Sequence, residues 1–364
     1  MKKQPKRLLS SFAIISVALF IIVGALYIAS DLSYDLADKI NGGVSHSFRR
    51  ILASVTSIFD FSALEIFIIF LPLILFFVIR RAIKCFESRE GRVRFVTNLA
   101  AFVLLIYTGH ILALGIAHNT TPLDRKMGLC EVEVTEQRLA NNLIMLRDEI
   151  NELSGVVTRD ENAVFTSGYS SREISEKICL SYDEIARSYG LPEGYTSSAK
   201  WVKNGWAMSY LGITGIYSYI TGEANVNSYY PDYVTIFTAA HEMCHQRGIL
   251  RENEANFVAY LITSESSDPA LRYSGVMNMY SYFASALYKT NRELYLEIHS
   301  SLSDYARADI RYANSVSDKY GDTIIEDISD WINDFYLESS GNEGIISYSK
   351  VVHLVLAYNE KKCN

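Results

Sequence analysis

Residues 241–257 read HEMCHQRGILRENEANF, and this stretch says more about fold and chemistry than any other part of the chain. His241 and His245 are four residues apart, a spacing that puts both side chains on one face of an α-helix, about one turn from each other. Two imidazoles in that arrangement can bind a single Zn²⁺. Gly248 predicts that the helix ends shortly after His245.

Glu242 is the predicted general base of this motif. Its side chain is rotated around the helix, so it reaches the zinc-bound water and not the zinc. Bound Zn²⁺ lowers the pKa of that water, and Glu242 can take its proton and later pass it to the leaving amine. Cys244 points to a different face from His245, so we expect a small buried residue there and not a ligand.

A catalytic zinc site needs a third protein ligand and one open position, and the segment after Gly248 offers two carboxylates. This segment reads as the start of a second helix, from Arg251 to about Thr263. Glu252 is the preferred ligand because it stands four residues before Asn256 and shares a face with it. Asn256 can then hydrogen-bond a ligand from behind. Glu254 points elsewhere on this helix and remains the alternative.

The pattern His241-Glu242-x-x-His245 followed by Glu252-x-x-Ala255-Asn256 resembles the gluzincin-type HExxH zinc metallopeptidases. The resemblance implies a Zn²⁺ cofactor, the zinc ligands His241, His245 and Glu252, the general base Glu242, and a peptide or protein substrate. The six residues between His245 and Glu252 are fewer than in thermolysin-like enzymes. Metzincins have a gap of this length, but Arg251 occupies the position of their third ligand.

The same resemblance suggests how a substrate would be held. Gly222–Asn227 precedes the motif helix, where gluzincins have an edge strand that pairs with extended substrate, although an ordinary turn fits the residues equally well. Independently of the resemblance, Tyr219 and Tyr348 are candidates to donate a hydrogen bond to the oxyanion of the tetrahedral intermediate. The chain has 25 tyrosines, so a structural role is the commoner expectation for either one.

The first third of the chain is strongly apolar and predicts a membrane domain over residues 1–117. Three stretches, at about 8–28, 61–79 and 95–117, are long enough to cross a bilayer. Lysines and arginines cluster before the first stretch and again between residues 80 and 94, so both segments are expected on the cytoplasmic side. We therefore predict a multi-pass protein of the cell membrane with a cytoplasmic N-terminus, the lipid bilayer as a partner, and an extracytoplasmic domain over 118–364.

Helical periodicity dominates after residue 118, so the expected fold class is mainly α. Three transmembrane helices are followed by an α+β, zincin-like metallopeptidase domain with a small sheet. Short strands and turns are expected between Trp201 and Tyr230. Helices are predicted at 131–153, 171–189, 237–246, 251–263, 274–300, 302–320, 323–337 and 348–358.

Composition excludes some functions. The net charge is −7, with no basic stripe outside the membrane flanks, so nucleic acid is not an expected partner. The five cysteines form no CxxC pair, which argues against a cysteine zinc cage. Cys130 and Cys179 are able to pair in an oxidising compartment, and the sequence leaves this open.

The whole chain also resembles an uncharacterised family of bacterial membrane proteins with three N-terminal spans and an HExxH domain. The matching stretches are FSALE at 61–65, TGEANVN at 221–227, the run at 241–257 and GIISY at 344–348. This resemblance implies an architecture but no substrate. Glu65 and His110 lie near the outer ends of their spans, where we expect them to meet water or the base of the outer domain.

The sequence therefore predicts a membrane-anchored zinc metalloendopeptidase that hydrolyses peptide bonds outside the cytoplasm. The alternative is a non-catalytic zinc-binding sensor or interaction domain at the cell envelope. The predicted cytoplasmic segments are too short to hold an effector domain, which argues against a sensor.

Overall fold

A computed structural model describes residues 9–195, 197–320 and 344–363. These residues form a mainly helical protein with one small sheet. The strands are β1 (Lys200–Val202), β2 (Gly215–Ser218) and β3 (Glu223–Asn227). The helices are α1 (Ser11–Leu32), α2 (Tyr34–Ile40), α3 (His46–Thr56), α4 (Ala63–Cys85), α5 (Arg89–His110), α6 (Ile116–His118), α7 (Leu123–Lys126), α8 (Glu136–Ser154), α9 (Ser171–Tyr189), α10 (Gly205–Ser209), α11 (Asp232–Gln246), α12 (Glu252–Ser264), α13 (Pro269–Thr290), α14 (Arg292–Ser300), α15 (Asp304–Tyr320) and α16 (Gly344–Cys363).

Three helical stretches are long and apolar enough to cross a membrane: Ser11–Leu32, Ala63–Cys85 and Arg89–His118. They agree with the three predicted stretches and indicate membrane association. The third consists of α5 and α6 joined by the π-helical turn Ile111–Gly115. Each span begins just after a serine, Ser10, Ser62 or Ser88, whose side chain accepts a hydrogen bond from a backbone N–H of the first turn.

The sheet has the strand order β1-β3-β2, with β1 parallel and β2 antiparallel to β3. The interpretation of Gly222–Asn227 as an edge strand open to substrate is wrong, because β3 is the central strand and is paired on both sides. All five of its residues are buried. The edge strand that packs against α11 is β2.

The helical predictions for the C-terminal half differ from the structure mainly at helix ends. The predicted helix over 274–300 is two helices, because Asn291 is extended and its side chain caps α14. Helix α8 starts at Glu136 instead of Glu131, since Thr135 is its N-cap. Helix α11 begins five residues before Phe237, directly after Pro231. The helix predicted over 323–337 lies outside the described residues.

One hydrophobic cluster contains residues of α8, of α9 and of every helix from α11 through α16. Leu143, Ile236, Phe257 and Phe283 are each fully buried in it. Helix α11 packs against the sheet on one side and against α12 and α13 on the other. The motif helix is thus held inside the C-terminal core, with its histidine face toward the start of α12.

The segment between the first two spans packs against the C-terminal domain. Gly222, before β3, has a positive φ of 73°, and a Cβ atom added there would lie 2.6 Å from Leu52 of α3. Arg49, also of α3, is fully buried and donates hydrogen bonds to the carbonyl of Ala113 (3.1 Å) and to Asn41 Oδ1 (2.9 Å). Residues on both sides of the predicted boundary at 117 therefore share one packed interface.

The sheet also caps the second span. The carboxylate of Glu223 in β3 accepts hydrogen bonds from the backbone N–H groups of Ala63 (2.9 Å) and Leu64 (3.0 Å). A carboxylate at this position interacts favourably with the N-terminus of α4. In return, Glu65 of α4 accepts hydrogen bonds from the backbone N–H groups of Lys203 and Asn204. The prediction that Glu65 meets the base of the neighbouring domain is confirmed.

Candidate metal centre

The two motif histidines project from the same face of α11. Their ring centroids are 4.5 Å apart and the ring planes lie at 83° to each other. Ala239 and Ala240 just before them are fully buried, so the helix approaches its neighbours closely at this point. The one-turn spacing predicted from the sequence therefore produces a pair of imidazoles facing one position.

Glu252, the first residue of α12, completes a three-residue cluster with this pair. Its Oε2 lies 3.2 Å from His241 Nε2, and its Oε1 lies 3.4 Å from His245 Nε2. One ligand atom from each residue lies within 4.8 Å of both others. Ligand atoms of a tetrahedral zinc ion, each about 2.0–2.1 Å from the metal, are separated by roughly 3.3 Å. The donor set is one that Zn²⁺ accepts, and the two carboxylate–imidazole distances are close to this spacing.

The second ring nitrogen of His245, Nδ1, is hydrogen-bonded to the backbone. His245 Nδ1 lies 2.8 Å from the carbonyl oxygen of Ile249, in the turn that follows α11. Because a carbonyl only accepts, Nδ1 carries a hydrogen, and Nε2 is the ring nitrogen that faces Glu252. With its proton, Nε2 donates to that carboxylate; without it, Nε2 has a free lone pair for a metal. This contact orients the ring as a metal ligand requires.

The charges of the three residues are strongly coupled. Burial raises the pKa of Glu252, but the two histidines outweigh that effect and hold this pKa well below its usual range. Burial lowers the pKa of His245, yet the charge and hydrogen bond of Glu252 raise it to about 9. A metal has to displace the proton of His245, so metal binding and proton release are linked at neutral pH.

Glu242 lies beside this cluster and is 5% exposed. Burial raises the pKa of its carboxyl, against the opposing charges of His241 and His245. The backbone N–H of Tyr217 in β2 acts against that rise in pKa. A Cβ atom added at Gly215, also in β2, would lie 2.7 Å from Glu242 Oε1. The edge strand thus holds the carboxylate at close range, and Gly215 provides the space.

Glu254, the alternative ligand, belongs to a different contact. It is buried, it accepts a hydrogen bond from the backbone N–H of Leu123 (2.9 Å), and it pairs with Arg251 (3.1 Å). Arg251 donates in turn to the carbonyls of His118 and Thr120, at 2.8 Å each. The pair ties the start of α12 to the end of the third span.

The remaining predicted residues play smaller parts. Cys244 is fully buried, as expected, and burial raises the pKa of its thiol to about 12. Tyr219 packs against the end of the third span, with its ring centroid 5.2 Å from that of His110. The side chain of Tyr348 lies outside the described residues. Cys130 and Cys179 are unpaired.

Asn256 donates no hydrogen bond to the three clustered residues within the part of the chain that the structure describes. Sequence reasoning missed three contributors to the site: Gly215, the Ile249 carbonyl and the Arg251 contact. Gly215 was visible only as one glycine of a turn-rich segment. A backbone carbonyl carries no sequence signal at all.

Comparison with known proteins gives one family and no individual relative. The family described as "Protein of unknown function (DUF3810)" matches residues 41–356, a range that includes the second and third spans, the sheet and both helices of the cluster. No curated protein and no solved structure matches the chain significantly.

Proposed function

The chain belongs to the DUF3810 family, and we propose that it is a membrane-anchored, zinc-dependent metallopeptidase. The single observation that carries this proposal is the cluster of His241, His245 and Glu252, whose carboxylate oxygens lie 3.2 and 3.4 Å from the two imidazole nitrogens. Two histidines and one carboxylate form the ligand set of known catalytic zinc sites.

Bound Zn²⁺ would supply Lewis-acid chemistry, activating water and polarising a peptide carbonyl. Glu242 would take the proton of the attacking water and pass it to the leaving amine. Its raised pKa suits a group that must both accept and return a proton. Strand β2 lies next to Glu242 at the edge of the sheet, so an extended peptide would pair with it through backbone hydrogen bonds.

We place the site on the extracytoplasmic side of the membrane. The short link between α4 and α5 lies at the opposite end of these spans from the cluster, and the arginines and lysines of residues 80–94 flank it. Under the positive-inside rule that link is cytoplasmic. Substrates would then be secreted, envelope or membrane-proximal peptides.

The test uses the full chain in detergent, with metal content and hydrolysis of a peptide library as readouts. Glu242→Gln should keep its zinc and lose at least about a hundredfold in hydrolysis, the usual contribution of general acid–base catalysis. His241→Ala and Glu252→Gln should lose the metal. Glu254→Gln is the matched control and should retain it.

Zinc retained equally by His241→Ala would contradict the metal site. Full metal binding with no hydrolysis by the wild type, and no effect of Glu242→Gln on any function, would instead favour the non-catalytic zinc-binding sensor or interaction domain.

A further inference from the structure

Two arginines near the C-terminal end of α11, Arg49 and Arg247, are fully buried. Neither has a carboxylate partner among the described residues. Arg247, just after α11, donates to the carbonyl of Met243 (3.0 Å) and to Cys179 Sγ (3.0 Å). Among the described residues, Arg49 donates to the Ala113 carbonyl and the Asn41 amide oxygen alone. It also lies so close to Gly248 that a Cβ atom there would overlap it. Neither arginine has a counter-charge in these contacts.

Two tyrosine rings pack on the Arg247 guanidinium, and a histidine ring packs against one of them. The Arg247 guanidinium carbon lies 4.7 Å from the ring centroid of Tyr182 and 5.0 Å from that of Tyr195. The ring of His46 meets that of Tyr195 edge-on at 5.0 Å. We call Arg49, Arg247, His46, Tyr182, Tyr195 and Tyr217 the arginine cluster. Tyr217 is included because it packs against the hydrophobic group that contains Ala113, whose carbonyl accepts a hydrogen bond from Arg49.

The arginine cluster has unused hydrogen-bonding capacity. Ten buried side-chain polar atoms have no partner among the described residues, and six of them belong to this cluster. They are the Nε atoms of Arg49 and Arg247, Nδ1 of His46, and the hydroxyls of Tyr182, Tyr195 and Tyr217. Buried polar groups are nearly always satisfied, so such a concentration requires an explanation.

Burying two uncompensated positive charges is also unfavourable. The carbonyl groups at the C-terminus of a helix carry about half a negative charge, which offsets only part of this cost. Burial lowers the pKa of His46, and the charges of Arg49, Arg50 and Arg247 lower it further, so the local potential is positive. The group offers hydrogen-bond donors and positive charge, and it lacks an acceptor with negative charge.

We propose that the arginine cluster binds a small inorganic anion that accepts hydrogen bonds from the two guanidinium groups and the tyrosine hydroxyls. Entry would use the cavity of about 340 Å³ that borders Asn41, the residue whose side chain accepts from Arg49. Asp38, the one acid lining this cavity, is paired with Lys126 (2.9 Å). The anion site is separate from the zinc ligands and does not require zinc.

The test follows the unfolding midpoint of the full chain in detergent as sodium bromide or sodium phosphate replaces sodium gluconate at constant ionic strength. A ligand that binds the folded state raises the midpoint in a saturable way. We expect saturation with bromide, phosphate or both, in chelator-treated as well as zinc-loaded protein. The stronger of the two responses identifies the anion as a halide or an oxyanion.

Variants locate the site. Arg49→Met and Arg247→Met should abolish the anion response. Arg159→Met is the matched control because Arg159 is a mostly buried arginine, with a side chain that is 11% exposed, and it is paired with Asp309 (3.1 Å). That control should unfold earlier but keep the response. Tyr195→Phe removes one hydroxyl only and should raise the half-saturating concentration about fivefold, the equivalent of one hydrogen bond.

The absence of a saturable response in the wild type, or an unchanged response in both Arg49→Met and Tyr195→Phe, would overturn the proposal. If the arginine variants do not fold, the Tyr195→Phe titration decides the question alone. Metal content and hydrolysis are measured separately, so the failure of this site leaves the zinc proposal untouched, and the reverse also holds.

Discussion

At the scale of single residues, Gly215 leaves the space that Glu242 occupies. A Cβ atom at this position would lie 2.7 Å from Glu242 Oε1 and 2.8 Å from its Cγ, and it would overlap Thr238. Thr238 and Glu242 are both part of α11 and both buried, so neither can move away freely. The position of the proposed general base therefore depends on a missing side chain in the neighbouring strand.

We predict that Gly215→Ala lowers hydrolysis at least about tenfold while zinc content stays unchanged. The added methyl should also reduce the free energy of unfolding by about 1–3 kcal/mol, as overpacking does. Gly155→Ala is the matched control, since its nearest neighbour would be the Glu152 carbonyl at 3.7 Å. Peptide hydrolysis and denaturant unfolding measure the two effects. Normal hydrolysis by Gly215→Ala would contradict the close fit.

The pair formed by His245 and Glu252 predicts how the metal-free protein responds to pH. The pKa of His245 is about 9 in the folded protein, against about 6.5 in the unfolded chain. A raised histidine pKa stabilises the fold fully below the unfolded value, and this stabilisation is lost as pH rises through the folded value. The unfolding midpoint of chelator-treated protein should therefore fall between pH 6.5 and 9.

His245→Gln, which cannot be protonated, provides the comparison, and thermal unfolding between pH 6 and 10 is the measurement. The wild type should lose stability over this interval relative to the variant. Parallel curves for the two proteins would show that the ion pair does not form.

The residues of the motif were predictable from the sequence because their geometry is local. Four-residue spacing on a helix fixes His241 and His245, and it sets Glu242 on a neighbouring face. Glu252 was preferred over Glu254 because it shares a helix face with Asn256, yet the structure separates the two acids through other contacts. Glu254 forms an ion pair with Arg251 and accepts a hydrogen bond from the Leu123 N–H. Neither contact was inferred from the sequence.

At the scale of elements, the start of α12 packs against the end of the third span. Leu250, just before α12, packs with Ala113, Leu114 and Ala117 of the third span. Arg251 donates to the carbonyl of His118, the last residue of that span, and to the carbonyl of Thr120 just after it, at 2.8 Å each. The next residue is Glu252, so contacts to the third apolar helix help to position the third proposed ligand.

We predict that Arg251→Ala lowers zinc affinity about 10- to 100-fold, the usual effect of removing a residue that orients a ligand. Loss of this arginine also leaves Glu254 buried without its cation, so affinity is measured below the variant's own unfolding midpoint. Competition with a fluorescent chelator gives the affinity. Arg251→Lys should restore part of it.

The matched control for this experiment is Arg272→Ala. It removes the ion pair between Arg272 on α13 and Glu149 on α8 (2.5 Å), which lies away from the cluster. It should leave zinc affinity unchanged. Equal losses in Arg251→Ala and Arg272→Ala would mean that general destabilisation, and not ligand orientation, is responsible.

Element types were predictable where the pattern was long and regular, as in the spans and in α9. Element ends were less so, because single residues decide them. The extended Asn291 divides one predicted helix into α13 and α14, and Thr135 delays the start of α8. Strand order was not predictable, since the pairing of β3 with both neighbours depends on contacts that no local pattern specifies.

At the scale of the whole molecule, the spans and the C-terminal domain are joined by buried contacts between distant parts of the chain. Glu223 caps a helix that begins 160 residues earlier, and Ser62 bonds Asn225 across 163 residues. The sequence predicted a boundary at residue 117 because hydropathy changes there. Hydropathy cannot show that α3 packs beneath Gly222 and Gly248. A fragment that begins at residue 118 lacks these partners, so experiments require the complete chain.

The attachment of Leu250 and Arg251 to the third span has a geometric consequence for a peptidase. In the proposed peptidase, these contacts would hold the zinc site at a fixed distance from the end of the third apolar helix. An extended polypeptide spans about 3.3–3.6 Å per residue. For a substrate anchored in the same membrane, the number of residues between its anchor and the zinc site would therefore decide which peptide bond reaches that site. Such a protein would select a peptide bond by its distance from the membrane anchor as well as by the residues around it.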